Sequence, residues 1–514
     1  MRQIRLLHGF LTVGFWTFAS RLLGFIRDVI IAAYLGSGPV AEAFLVAFSL
    51  PNMFRRIFAE GAFNTAFVPL FAKKIEAGED ARGFAQDAFS GLASVLIVLT
   101  MVAHVAMPWL VLAMASGFKG DERFDIAVTF GRICFPYILL ISLTAMLSGV
   151  LNATGRFAVA SMAPAVLNIV FLIAFGLSIH YGWEMGLTQS WATPIGGVLQ
   201  LLLVWYAARK EGYSMRLTWP RLSPDMRRLV RVAMPAVFAG GVVQINLVVG
   251  RQVASYYDGA IAWLSNADRI YQLPLGVVAA AVGVVLTAEL SRRLRAGDIG
   301  GSRTAYNRAW EFSLFLTLPA AVALVVIAGP IISVIFERGQ YTAVDSANTA
   351  LALIVYGAGL PAFTLQKVLQ PVFYAREDTR RPFHYAIVAM VVNAVLAFGL
   401  SYWLGFIAAA IGTTIASWAM VFQLWWGSRS MGEAVRFDPR FLKNLVRILI
   451  ASVVMGLFLW GAAQVLDDML TQKGTRVLAL FILCGAGMAV YFVTAIALGV
   501  MKLADLLRMV RRQR

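Results

Sequence analysis

Cysteine is nearly absent from this chain and acid is scarce: 2 Cys, and 27 Asp+Glu against 44 Lys+Arg in 514 residues. Cys134 and Cys484 lie in separate apolar runs without metal-ligand spacing, so the pattern offers neither a disulfide framework nor a metal site. There is no Walker A sequence, no HExxH and no nucleophile–base arrangement, so the chain reads as a non-enzyme without a cofactor. His8, His104, His180 and His384 have no partners at useful spacing and read as interfacial. The formal charge of +17 does not mark a nucleic-acid binder, because it is dispersed among hydrophobic spans and no binding motif accompanies it.

What is abundant is apolar sequence, 60% of all residues, with a mean hydropathy of +0.75. Continuous runs of roughly 20 apolar residues recur throughout, without strand-like alternation. Lipid leaves only helices or closed barrels as spanning structures, so these runs predict an all-α polytopic membrane protein. Fourteen candidate spans fall at 6–36, 41–72, 86–115, 125–152, 157–180, 185–207, 229–256, 260–290, 306–336, 346–375, 382–403, 405–427, 444–466 and 476–501. The N-terminal run resembles a signal peptide, but it continues past any cleavage point and reads as the uncleaved first span. With the N-terminus placed inside, the cytoplasmic faces hold 31 of the 44 Lys+Arg and the opposite faces hold 5, namely Lys119, Arg123, Arg338, Lys473 and Arg476. That asymmetry predicts an even span count with both termini cytoplasmic.

A weak internal repeat accompanies the spans. "KIEAGED" at 74–80 returns as "LRAGD" at 294–298, and the pair Pro136 and Asn168 returns as Pro361 and Asn393 at the same separation. The repeat keeps span parity, which predicts two parallel six-helix lobes around a central cavity, plus a C-terminal helix pair. The expected division is 1–212, 213–430 and 431–514.

Eight basic residues lie within spans or near their ends: Arg21, Arg27, Arg55, Arg56, Arg132, Arg251, Arg269 and Lys367. An arginine at the bilayer centre costs roughly 2.5–3.5 kcal/mol even on the lenient insertion scale. Several of them must therefore face a wet cavity or pair with acids. Asp28, Glu60 and Asp268 are too few to neutralise the set. A cavity with excess guanidinium suits a multivalent anion, and the fork geometry of Arg suits a diphosphate better than a simple carboxylate. The structural alternative is local pairing, Arg27 with Asp28 and Arg56 with Glu60, and Arg56 reads as a salt-bridge partner. Arg132 and Arg251 read as snorkelling residues in that alternative. Lys367 faces either the cavity or a helix packing site.

The stretches "SRLLGFIRDVIIAAYLG", "AEAFLVAFSLPNMFRRIFAEGAFNTAFVPLFA", "FPYILLISL", "GVLNATGRF", "APAVLN" and "NADRIYQLPLGV" resemble the MurJ (MviN) family of bacterial lipid II flippases. That family sits in a superfamily with multidrug (MATE) and polysaccharide exporters. The resemblance covers essentially the whole chain. It implies fourteen helices in two lobes, a cationic cavity, and a final helix pair that forms a groove for the lipid tail. It implies substrate-binding roles for Arg21, Arg27, Arg55 and Arg269, cavity acids at Asp28, Glu42 and Glu60, and a functional lysine at Lys367. Glu42 stands where an Asp is more usual. Gln272 stands where some relatives carry Glu, and spans 229–256 and 382–403 contain no Asp or Glu, so the sodium site of some relatives is not expected. The implied partners are lipid II, membrane lipids and the cell-wall synthesis machinery, at the bacterial inner membrane. The energy source would be the membrane potential or an ion gradient. The rival readings are a flippase for another polyprenyl-diphosphate glycan, of O-antigen or capsule type, a multidrug antiporter, and a non-transporting scaffold.

Overall fold

The computed structural model describes residues 2–56 and 63–500. Among them there are helices and turns and no strand. The first eight helices are α1 (Arg2–Leu35), α2 (Pro39–Arg55), α3 (Asn64–Glu76), α4 (Ala81–Met114), α5 (Glu122–Cys134), α6 (Tyr137–Ala153), α7 (Phe157–Tyr181) and α8 (Met185–Lys210). They are followed by α9 (Pro224–Ala254), α10 (Ala260–Arg295), α11 (Ile299–Val326), α12 (Ala328–Phe336) and α13 (Ala343–Tyr374). The last are α14 (Arg380–Leu404), α15 (Ile407–Ser428), α16 (Pro439–Val465), α17 (Asp467–Thr471) and α18 (Arg476–Ala497).

Ten segments among the described residues are long and apolar enough to cross a membrane. The chain is therefore a multi-pass membrane protein, and the arrangement is consistent with fourteen crossings. α1, α2, α9 and α10 carry Arg21, Arg27, Glu42, Arg55, Arg251 and Arg269.

The chain folds as two compact units. The first is Met1–Ala262 with Gly339–Tyr341, and the second is Trp263–Arg338 with Thr342–Arg514. In the first, α7 packs on α8 and α1, and α2 packs on α5. α9 is tied to this unit at both ends. Lys74 reaches Asp225 (3.0 Å), and Gln252 Nε2 donates to the carbonyls of Leu112 (2.8 Å) and Ala113 (2.6 Å). In the second unit α15 packs on α13 and α14, α11 packs on α13 and α16, and α18 packs on α16. Phe437 stacks on Tyr306 and Trp425, and Asp438 takes an ion pair from Arg308 (2.7 Å), so the final helices are fastened to α11. Tyr491 adds a hydroxyl bond to the carbonyl of Phe315 (2.7 Å).

The repeated "AGED" and "AGD" turns have one physical cause. Gly78 and Gly297 adopt left-handed backbone (φ 67° and 71°), which ends the preceding helix without a Cβ penalty. Asp80 and Asp298 then cap the next helix, accepting from the amides of Gly83 (2.7 Å) and Gly301 (2.8 Å). The Pro–Asn pairs diverge instead. Pro136 sits at the break between α5 and α6, whereas α13 runs unbroken through Pro361.

Candidate functional site

α1 carries Arg21, Arg27 and Asp28. Arg27 is buried (8% exposed), and its guanidinium is closely held. Nε and Nη2 donate to Asp28 Oδ1 at 3.0 and 2.8 Å, and Nη1 donates to Asn168 Oδ1 at 3.1 Å. The rings of Phe48 and Phe171 lie 5.5 and 5.1 Å from the guanidinium carbon. Such cation–π contact is stronger where water is excluded. The local pair Arg27–Asp28 expected as an alternative is thus formed, with a third partner from α7. Asn168 is in turn fixed by donating to the Ser20 carbonyl (3.0 Å). Gly24 faces it, and a Cβ there would make an ordinary contact, 3.5 Å from the Asn168 amide nitrogen.

Arg21 lies two turns earlier on α1. It is exposed, and no hydrogen bond or ion pair holds it among the described residues. Arg55, half-buried, and Arg56, exposed, end the α2 region, while Glu60 lies outside the described residues. In the second unit Arg269 and Asp268 are half-buried on α10, with Asp268 accepting from Gln272. Next to them, Tyr271 is buried against Phe363 and Tyr356, with ring centroids 5.2 Å away in each case. Lys367 is exposed on α13.

Glu42 is spoken for elsewhere. It is 1% exposed, and Arg123 Nη1 donates to its Oε2 (2.8 Å) while the Ile261 amide donates to its Oε1 (2.9 Å). Arg123 also donates through Nε to Asp121 (2.6 Å), pairs with Asp258 (3.0 Å), and sits 4.6 Å from the Phe118 ring centre. Partial burial opposes the Asp121 carboxylate, but the Arg123 amide and guanidinium outweigh it and hold its pKa below the usual range.

Two site residues escape a charge-based reading of the sequence. Asn168 is visible there as a repeat marker, although a polar side chain inside an apolar span is itself a signal of function. Arg123 reads as one of five loop cations, because its partners Glu42 and Asp258 are remote in sequence. Among the described residues, no group of three or more His, Cys, Asp or Glu is placed to hold a metal.

The described helices, with guanidinium groups held among them, define a multi-pass helical membrane protein, and its family is one of membrane transporters. A family model described as lipid II flippase MurJ matches residues 31–483. The chain belongs to the lipid II flippase MurJ family. It is 44% identical to the probable lipid II flippase MurJ of Rhizobium tropici, across 98% of this chain and 96% of that one. It is 33% identical to the lipid II flippase MurJ of Burkholderia cenocepacia, across 89% and 90% of the two chains. A solved structure described as lipid II flippase MurJ, inward closed conformation, superposes with a TM-score of 0.80 at 26% identity, covering 97% of this chain and all of that one. An inward-facing multidrug resistance MATE family transporter shares the fold (TM-score 0.68, 18% identity, 80% of this chain and 95% of that one).

Proposed function

We propose that this protein flips lipid II, an undecaprenyl diphosphate bearing a disaccharide-pentapeptide, from the cytoplasmic to the periplasmic leaflet of the bacterial inner membrane. The observation that carries the reading is the end-to-end similarity to relatives named for that activity. The chemistry of α1 agrees with it. Arg21 is an exposed cation, and Arg27 retains two of its five guanidinium N–H groups beyond those given to Asp28 and Asn168. Both suit phosphate oxygens, which guanidinium binds bidentately. Arg55 and Arg269 are the further phosphate ligands in this reading. Asp28, Glu42, Arg56, Glu60, Asp268 and Lys367 support them.

Transport proceeds by alternating access, with both termini cytoplasmic and the polyprenyl tail kept in lipid along α16 and α18. The interior is negative, so outward movement of an anion is favoured by about 2.3 kcal/mol per charge per 100 mV. The potential drives either the loaded step or the reset of the empty carrier, or an ion gradient takes its place. The product is consumed by the cell-wall synthesis machinery on the outer face.

The test is lipid II exposure at the outer leaflet in cells depleted of their own flippase. The expected result is that this chain restores exposure, that normally expressed Arg21→Ala does not, and that Arg21→Lys restores it in part. If neither chain restores exposure, the substrate is another polyprenyl-linked glycan. Full restoration by Arg21→Ala would overturn the role given to the arginine.

A further inference from the structure

The turn between α7 and α8 opens onto a cavity of about 560 Å³ on the outside of the first unit. Its floor is made of small residues, Ala174 and Ala192, and its walls of Leu177, Leu187, Trp191 and Ile195. The lining is apolar apart from Glu184 and Thr188 at one end and the two indole N–H groups. From Glu184 to Ile195 the groove runs roughly 16 Å along α8 at 1.5 Å per residue. That is about half of a ~30 Å hydrocarbon core, the depth of one leaflet. Both helices are membrane spans, so what fills the groove comes from the bilayer.

The mouth of the groove is preformed. Gly182 takes left-handed backbone (φ 68°), and Trp183 is locked to Ser178 by two bonds, its amide donating (3.1 Å) and its carbonyl accepting (2.8 Å). Trp183 stacks on Tyr181, with centroids 5.2 Å apart, and His180 meets Tyr181 edge-on. Glu184 is exposed and uses one acceptor site on each oxygen to cap α8, through Gly186 (2.8 Å) and Leu187 (2.5 Å). The remaining lone pairs and the full negative charge stay at the mouth. No cation lines the groove.

We infer that this groove holds one phospholipid acyl chain whose headgroup carries an ammonium, with phosphatidylethanolamine as the fitting chemistry. The chain lies over Ala174 and Ala192. The ammonium sits between the Glu184 carboxylate and the Tyr181–Trp183 aromatic pair. The same acid repels anionic headgroups, so the site discriminates by charge and not by tail.

The full chain is reconstituted in nanodiscs of equal phosphatidylethanolamine and phosphatidylglycerol, extracted gently, and its retained lipid counted by native mass spectrometry. One phosphatidylethanolamine per chain is expected, enriched about fivefold over the anionic lipid, the scale of one exposed ion pair to Glu184. Ala174→Trp fills the floor and removes it. Leu187→Trp, at an exposed wall position, narrows the groove to the same end should the first variant not fold. Glu184→Gln keeps a lipid but loses the headgroup preference. Equal retention of both lipids by the unmodified chain, or undiminished retention in a folded groove-filling variant, overturns the site.

Discussion

Arg27 on α1 donates to Asn168 on α7 at 3.1 Å, and that bond joins two helices 141 positions apart in sequence around a buried guanidinium. Asn168 is what turns a local Arg27–Asp28 pair into a tertiary site, because its own amide is anchored on the Ser20 carbonyl. Asn168→Leu leaves a buried charge one partner short and should cost about 1–3 kcal/mol. Flipping should fall with it. Asn168→Asp keeps the acceptor but neutralises Arg27, so thermal stability should hold better than lipid II exposure. Parallel melting curves and outer-leaflet lipid II measurements on the two variants separate positioning from bulk stability.

The Glu42–Arg123 pair is a buried ion pair with additional acids around the arginine. Arg123→Ala leaves the buried Glu42 with the Ile261 amide but no counter-charge and should destabilise by roughly 3–5 kcal/mol. Glu42→Gln leaves Arg123 with Asp121 and Asp258 and should cost less. The order is checked by thermal unfolding in detergent, and the reverse order would show that Glu42 carries a role beyond this pair.

Asp121 gives that network a pH dependence. Its folded pKa lies below the unfolded value of 3.8, so its contribution is complete above the unfolded value and is lost as pH falls from there through the folded one. The stability gap between the unmodified chain and Asp121→Asn should therefore be constant near neutrality and close below about pH 4. Melting temperatures from pH 7 down to pH 3 test this.

The repeated turns predict a matched pair of effects. Gly78 has φ 67° with open space where a Cβ would go, and Gly297 is the same at φ 71°. Alanine at either position is opposed by backbone strain alone, at about 1–2 kcal/mol. Asp80→Ala removes a cap, at about 1 kcal/mol. Similar losses from Gly78→Ala and Gly297→Ala would confirm that the turns are one device used twice. A large difference would mean that the two turns bear unequal loads.

Fold class was written in the sequence because the bilayer reads composition directly. Apolar runs of spanning length admit only helices here, and the turn signals Gly78–Asp80 and Gly297–Asp298 work within a few residues of chain. The charged positions of α1 were visible for the same reason, since an arginine in a span must be accounted for wherever it points. Partner choice was not visible. Whether Arg27 faces Asp28 alone or gains Asn168, and whether Glu42 meets Arg123, depends on helix rotation and contact across more than 80 residues of sequence. The paired motif residues Asn168 and Asn393 show the limit well. Identical in type and spacing, one serves a buried arginine, while the other is packed against α15, where a Cβ on Gly412 would stand 2.7 Å from its Oδ1. Local rules fix helices, turns and which residues are costly. Only close packing, which brings remote side chains within hydrogen-bond range, decides which of those residues form a site.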